Sequence, residues 1–514
     1  VPSILIRAHK DPFRAATAEE TIRDQLIGNN VGNLIFSQAV YRLLSTRDAR
    51  LATAKFGTGT PWPRDRRPDR LVLPLANAFR PGYADRLDHL AQLIDTAGIP
   101  VTVLGVGAQA TLSGRRRHRD TTDRAVHRFV RSALRTGSGP IGVRGEYTRD
   151  YLAGLGFGPS DVTVIGCPSL FTHGDRLQVT RRVERLTTDS PIALNISPYV
   201  TAMGPLSHRH AERYPRLVYL AQNQQTLELL LTGRYPAPAD SVVLRSGTPV
   251  GLEHPLIRED RVRFFLDPST WIKHLAGYHF SFGTRIHGNI AALLAGTPAV
   301  VLAHDSRTAE LADYHAIPYR LITDRPDRID AARLYDEADW EPLNRNHPRL
   351  WATFRDFLHQ HGLRTVYDDG EDGGAGFDDR LARVWFPPAV GTPMGDSPEQ
   401  MFAARRELHR LRAEVARLHD QVDHLRARRR TAALPQALVR AARAMINPNK
   451  INPNKINRNT VNPNMIKSST ITAVRNGWTA DRRAGTETGD DRTGQSDHDV
   501  PVPADGPLAA VAGG

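Results

Sequence analysis

The sequence predicts an α/β protein made of two halves of parallel sheet flanked by helices, with a cleft between them and a helical assembly segment after them. Three observations predict it. Short apolar runs alternate with amphipathic stretches across residues 1–375, the order that puts a helix between successive parallel strands. The chain turns polar and charged around 175–189 before a new apolar run starts, dividing it into two similar Rossmann-like halves, 1–185 and 186–375. Composition changes after residue 370, where Asp368-Asp369-Gly370-Glu371-Asp372-Gly373-Gly374 introduces a linker, 376–400, that carries Phe386-Pro387-Pro388 and further turn formers.

In chain order, strands are predicted at 70–75, 101–104, 141–143, 162–165, 192–196, 241–244, 278–282 and 299–303, apolar runs of a length that suits strands buried on both faces. Helices are predicted at 35–44, 86–96, 122–136, 146–155, 215–231, 289–295 and 350–361, where apolar residues recur at helical spacing. Beyond the linker, Met401, Ala404, Leu408, Leu411, Val415, Leu418, Val422 and Leu425 repeat at threes and fours without a break, a coiled coil over 401–430. With Met401 at position a, Val415 and Val422 fall at a and Leu411, Leu418 and Leu425 at d. Glu407 and Glu414 at g face Arg412 and His419 at e, a combination that favours a parallel homodimer. In the remainder, 431–514, Ile446-Asn447-Pro448-Asn449-Lys450 repeats with decay through Met465, and three Asn-Pro steps break any helix, so most of this tail reads as disordered. Residues 433–445 are weakly amphipathic, either a solvated helix or a peripheral membrane contact.

The 514 residues carry a net charge of +13, a nucleic-acid signal at first sight. Of the 68 basic residues only six are lysines, and the arginines are spread through the whole chain. Nine basic against four acidic residues give +5 over 401–430, ten against seven give +3 over 431–514, and the first 400 residues keep only +5. The excess sits in the tail, which has only Phe402 and Trp478 as aromatics, so no nucleic-acid partner is expected. A lone Cys167 excludes a disulfide scaffold within the chain. No apolar run is long enough to span a membrane and no leader pattern opens the sequence, so the expected location is the cytoplasm, with or without contact to a membrane surface.

The densest chemistry lies in Phe280-Ser281-Phe282-Gly283-Thr284-Arg285-Ile286-His287-Gly288-Asn289, which reads as strand, tight turn and helix start, the helix ending at Gly296. Free amides at a helix start favour an anion, an arginine fork adds bidentate recognition, Gly288 allows close approach, and His287 can exchange a proton near neutral pH. The competing reading makes Arg285 a carbonyl cap and His287 a core residue. After the next strand, Asp305 and Arg307 either face the same ligand or form an ion pair beside a helix cap. Asn30, Gly32 and Asn33 form a loop suited to sugar hydroxyls or to a plain turn. Gly105-Val106-Gly107-Ala108-Gln109-Ala110 resembles a dinucleotide turn only formally, because no helix follows. The Arg/His run at 115–119 is solvated charge or a closing loop. Cys167 has no base near it in sequence and reads as a small buried hydrophobe. No metal or ATP motif is present in the sequence.

The block from Ser281 to Asp305, above all Gly283-Thr284-Arg285-Ile286-His287-Gly288 and Ala291-Ala292-Leu293-Leu294-Ala295-Gly296-Thr297-Pro298, resembles the polysaccharide pyruvyl transferase family. Asn30-Val31-Gly32, Gly105-Val106-Gly107-Ala108-Gln109, Arg144-Gly145 and Gly166-Cys167-Pro168-Ser169 add to the resemblance, which spans roughly residues 20–330. It implies a fold like the GT-B glycosyltransferases, with the acceptor on the first half and phosphoenolpyruvate on the second. The implied activity is transfer of pyruvate from that donor, as a ketal, to a sugar or lipid-linked glycan of the cell envelope, with no metal or other cofactor. On this resemblance Arg285 binds the donor's phosphate or carboxylate and His287 is donor ligand and general acid. Gly288, Gly107, Arg144, Arg245, Asp305 and Arg307 join the substrate site with Asn30, Gly32 and Asn33. Asn33 stands where many relatives carry an acid, so this chain offers the acceptor no carboxylate there. Two other classes remain open on the residues alone: a GT-B glycosyltransferase using a nucleotide sugar, and a nucleic-acid-binding scaffold acting through the basic tail.

Overall fold

The computed structural model describes residues 1–56, 68–109, 121–137, 139–238, 241–322, 326–392 and scattered positions from Phe402 to Val422. The Arg/His run, the Asn-Pro repeats, the 433–445 helix and the rest of the tail lie outside the described residues. Val1–Val422 is one compact unit.

In its first half, β1 (Ser3–Arg7), β2 (Arg50–Ala54), β3 (Arg70–Pro74) and β4 (Val101–Leu104) form a parallel sheet in the order β2-β1-β3-β4. The parallel pair β5 (Ile141–Val143) and β6 (Val162–Val164) joins it through a bridge between Val106 and Val143. The second half holds six parallel strands: β7 (Ile192–Asn195), β8 (Leu217–Ala221), β9 (Val262–Phe264), β10 (Phe280–Gly283), β11 (Ala299–Ala303) and β12 (Tyr319–Leu321). Their order, β12-β11-β10-β7-β8-β9, runs outward in both directions from the β7/β10 pair. Such a reversal leaves a crevice at the carboxyl ends of the two central strands, the general ligand position of open α/β sheets. All five residues of Ala-Val-Val-Leu-Ala in β11 are buried, as expected for a strand covered on both faces.

The halves are stitched together. Helix Gly32–Leu43 straddles them: Leu34, Ile35 and Phe36 enter the second half's core, while Val40, Tyr41 and Leu43 pack under β1 and β3. Helix Glu341–Gln360 returns to the first half, where Leu350, Trp351, Phe354 and Phe357 cover Ile4, Ile6 and Val72.

Several expectations need correction. Residues 241–244, read as a strand, belong to the short helix Val242–Arg245 capped by Ser241. The helix expected over 215–231 is β8 followed by helix Gln224–Thr232: Leu-Val-Tyr-Leu-Ala is too short an apolar run for its period to tell strand from helix. The stretch read as a linker, 368–374 and 376–400, is folded onto the first half at its start. Arg42 donates to Asp378 at 2.6 Å, to Gly373 O and to the Tyr367 hydroxyl, and Phe377 packs on Phe13. Farther on, Val390 pairs antiparallel with Phe264, and Thr392 N–H reaches Asp260. In the region expected to form the coiled coil, the described positions are helical. Phe402 is buried and Arg406 donates to Thr232 O at 2.9 Å, whereas Leu411, Val415, Leu418 and Val422 leave 41–51% of their surface exposed.

Candidate active site

The turn after β10 is held by polar groups inside the protein. Gly283 has φ 141, and a Cβ there would collide with the Asn195 carbonyl, so only glycine fits. Asn195, at the end of β7, accepts from Arg285 N–H at 2.8 Å through Oδ1 and donates to Asn289 at 2.9 Å. Asn289 donates to Gly283 O, and Thr284 accepts from Ser197 N–H at 2.7 Å. The two central strands of the second sheet are thereby locked at the reversal point, and Arg285 becomes the residue that caps helix Ile286–Leu294.

The Arg285 guanidinium donates to Asn223 Oδ1 and lies over the Tyr199 ring, 5.5 Å from its centroid. No carboxylate pairs with it among the described residues, and burial lowers its pKa. His287 is buried, with Nε2 3.6 Å from Cys167 Sγ and its ring 5.7 Å from that of Phe36. Burial, then Arg144 and Arg285, push its pKa down to about 3, so the ring is neutral at pH 7 in the unliganded protein. Gly288 is also forced: a Cβ would stand 2.5 Å from Gln222 Nε2 and 2.9 Å from Asn195 Cβ.

The first half reaches the same place. Asn30 accepts from Gly32 N–H at 2.7 Å and bridges to Asn223, the residue that also receives Arg285. A Cβ on Gly32 would come within 2.9 Å of His287 Cβ. Asn33, by contrast, turns back into its own loop and donates to Ile27 O at 2.9 Å. Arg144 follows β5, is only 3% exposed, and its Nε has no hydrogen-bond partner among the described residues. Gly107 lies against its side chain, where a Cβ would stand 3.2 Å away. Burial lowers the Arg144 pKa, while the Glu310 and Asp305 carboxylates act in the opposite sense.

Arg307 lies near enough to Arg285 and Arg144 to disfavour their charges, and it is ion-paired with Asp305. Asp305 has both oxygens engaged, Oδ1 by Thr308 N–H and hydroxyl at 3.0 and 2.7 Å and Oδ2 by Arg307. It therefore caps helix Ser306–His315. Although burial raises its pKa, Arg307 and His304 outweigh that and hold it low. Arg245 sits exposed on its short helix, outside the hydrogen-bonded group around Arg285.

Sequence reading missed several participants. Asn195, Gln222 and Asn223 look like ordinary strand-end amides, yet both amide atoms of Gln222 are buried beside Gly288 without hydrogen-bond partners among the described residues. Glu310 accepts from Thr148 N–H at 3.0 Å and from its hydroxyl at 2.8 Å across the two halves. Burial raises its pKa to about 7. His315 accepts from Cys167 N–H at 3.0 Å, close against Gly166, and so pins the Gly166-Cys167-Pro168-Ser169 turn against His287. Among the described residues no group of three or more His, Cys, Asp or Glu side chains is arranged to hold a metal ion.

Taken together, the residues brought together are Asn30, Gly32, Gly107, Arg144, Arg285, His287, Gly288 and Arg307, with Asp305 behind Arg307. A family profile described as polysaccharide pyruvyl transferase matches residues 30–306, more than half of the chain and the stretch that holds all of these except Arg307. The chain belongs to the polysaccharide pyruvyl transferase family. No curated protein matches this pyruvyl transferase family member in sequence. Among solved structures it is similar to a Staphylococcus aureus MnaA–UDP structure, at 11% identity and TM-score 0.35, covering 77% of this chain and 100% of that one. A Methanocaldococcus jannaschii UDP-GlcNAc 2-epimerase in complex with UDP-GlcNAc and UDP gives 10% identity and TM-score 0.37, covering 70% and 99%. The corresponding Neisseria meningitidis enzyme bound to UDP-GlcNAc gives 10% and 0.32, covering 74% and 100%. No helix among the described residues of this family member is long and apolar enough to cross a membrane.

Proposed function

We propose that this member of the family transfers pyruvate from phosphoenolpyruvate to two hydroxyls of a sugar, forming a ketal and releasing phosphate. The observation that supports it best is the convergence of Arg285, Arg144 and Arg307 on a switch-point crevice where Arg285 has no carboxylate partner among the described residues and a buried neutral histidine stands in their midst. Burying so much positive charge is costly unless a ligand with several negative charges fills the site, and phosphoenolpyruvate carries a carboxylate beside a phosphate.

In the reaction, a proton adds to the enol CH₂ carbon and the neighbouring carbon becomes oxocarbenium-like. One sugar hydroxyl attacks that carbon, the C–O bond to phosphate breaks, and the second hydroxyl closes the ring, each hydroxyl losing its proton. The arginines stabilise charge on the departing phosphate, an effect commonly worth about 3 kcal/mol for a single donor. His287 meets the ligand as a neutral ring. An anion placed between it and Arg144 and Arg285 cancels the field that depresses its pKa, so the donor raises the proton affinity of the ring it needs as an acid. Asn30 and Gly32 hold the first half at the mouth of the site, where the acceptor sugar enters. Two copies of the chain join through the helix carrying Leu411, Val415, Leu418 and Val422, whose exposed apolar stripe follows the heptad positions.

The test is a ketal-forming assay with phosphoenolpyruvate and envelope glycan acceptors, run on wild type and Arg285→Ala. Phosphate release dependent on acceptor, lost in the variant, supports the proposal. Equal turnover in both proteins, or binding of UDP or GDP while phosphoenolpyruvate is ignored, contradicts it.

A further inference from the structure

The first half has a strand-order reversal of its own. In β2-β1-β3-β4 the chain leaves β1 for one side of the sheet and β3 for the other, and the helices that follow the two strands lie on opposite faces. Helix Gly32–Leu43 packs on Ile4, Ile6 and Val72, whereas helix Ala84–Ala97 sets Leu87, Leu90 and Ile94 against Leu5, Leu71 and Leu73. A second crevice therefore opens at the carboxyl ends of β1 and β3, the general ligand position of such sheets. Arg7 is the last residue of β1, and Arg80, Tyr83 and Arg86 follow β3.

These four residues form one cluster around the Tyr83 ring. Arg7 donates to Pro74 O at 3.3 Å and to the Tyr83 hydroxyl at 2.9 Å, and its buried Nε has no hydrogen-bond partner among the described residues. The guanidinium carbons of Arg80 and Arg86 lie 5.6 and 5.5 Å from the ring centroid. Arg80 engages Asn77 O at 3.1 Å through Nε, and Arg86 is exposed. Among the described residues no carboxylate pairs with any of the three arginines. The cluster borders the donor arginines: Phe79 N–H donates to Gly107 O, and Gly107 lies against Arg144. Burial, then Arg307 and Arg86, lower the Arg80 pKa. Like charges gathered in this way repel one another until an anion lies among them.

We propose that Arg80 and Arg86, with Arg7 behind them on Tyr83, bind a phosphate group carried by the acceptor sugar. That the phosphate belongs to the acceptor rests on the pyruvyl transfer reading, in which phosphoenolpyruvate occupies Arg285, Arg144 and Arg307. One guanidinium fork satisfies a carboxylate, whereas two forks on one ring with a third cation behind them match the charge and the oxygens of a phosphate or diphosphate ester. The acceptor is thus a sugar joined to phosphate, the chemistry shared by a free sugar phosphate and a glycan on a lipid diphosphate. Its reacting hydroxyls lie between the two groups of arginines.

Pyrophosphate serves as the probe, titrated calorimetrically into full-length wild type, into Arg285→Ala, and into Arg285→Ala that also carries Arg80→Gln or Arg86→Gln. No phosphoenolpyruvate is present, so a failure of the pyruvyl reading leaves this result standing. The expected result is that Arg285→Ala still binds one pyrophosphate, that either glutamine substitution weakens this binding about tenfold, and that glucuronate binds more weakly than pyrophosphate. A hexose 1-phosphate and a polyprenyl-diphosphate hexose are then compared as competitors. Displacement of the probe by either supports the proposal and identifies the carrier. No pyrophosphate bound by Arg285→Ala, binding indifferent to both glutamine substitutions, glucuronate as tight as pyrophosphate, or displacement by neither competitor overturns it. Should the double variants fail to fold, Arg86→Gln in the wild-type background decides the matter, since Arg86 is exposed and its loss must remove one of two pyrophosphate sites.

Discussion

Arg285 is the side chain on which the site depends most, because it bonds Asn223, to which Asn30 of the first half bridges, and carries a charge that no carboxylate among the described residues pairs with. Its fork also bonds Asn223 and stacks on Tyr199, neither of which a lysine ammonium can reproduce. Arg285→Ala and Arg285→Lys should both lower kcat for ketal formation by about 100-fold or more, with little change in Tm. A second prediction concerns His287. Since its pKa of about 3 is set by burial and two arginines, binding of phosphoenolpyruvate should take up a fraction of a proton at pH 7. Calorimetry in buffers of different ionisation enthalpy reads that fraction, and no uptake would show that the anion does not approach the ring. Gly288→Ala forces a Cβ to within 2.5 Å of Gln222 and 2.9 Å of Asn195, and about 1–3 kcal/mol of stability should be lost in denaturant unfolding. Arg285, His287 and Gly288 were legible in sequence because strand, turn and helix start lie side by side there. Cys167 was not: its partner is 120 positions away, and sequence shows only a small residue after a strand.

Elements set these residues in place, and the reversal of strand order at β7 and β10 is what makes a crevice at all. Sequence showed the strands flanking the turn, since Phe-Ser-Phe-Gly and Ala-Val-Val-Leu-Ala are unbroken and buried. It did not show β2, whose Arg-Leu-Ala-Thr-Ala is at most half-buried on a sheet edge, nor β12, three residues on the opposite edge of the other sheet. Edge strands carry little apolar signal because one side meets solvent. Helix Ser306–His315 offers a test at this scale. Asp305→Ala removes its cap and the partner of Arg307 together, so about 1 kcal/mol of stability should go, while the freed Arg307 adds charge to the crevice and tightens phosphate binding. The helix bearing Leu411, Val415, Leu418 and Val422 makes a further prediction. The full-length protein should have twice its chain mass in light scattering, and Leu411→Asp with Leu418→Asp should halve that mass without affecting phosphoenolpyruvate binding.

For the molecule as a whole, burial of histidines sets the pH range of stability. His9, His254, His287 and His315 all have pKa values pushed by burial to about 3. In the unfolded chain they titrate near 6.5, so the unfolded state gains protons first as the pH falls. Stability present above 6.5 is therefore lost progressively down to 3, by up to about 1.4 kcal/mol per pH unit for each histidine. Glu310, raised to about 7, acts in the opposite sense: its contribution is full below 4.5 and lost as the pH rises through 7. Four groups against one leave a net fall on acidification, and Tm should drop by several degrees between pH 7 and pH 5. An unchanged Tm would show that these imidazoles are not sealed. The net charge of +13 that first suggested nucleic acid has resolved into a tail excess and a local cluster of arginines at the junction of the two halves. The most direct test of that junction is the thermal stability of the full-length protein at pH 7 with phosphoenolpyruvate, UDP or GDP. A rise in Tm with phosphoenolpyruvate alone, absent in Arg285→Ala, is the predicted result. Stabilisation by a nucleotide with none by phosphoenolpyruvate would contradict it.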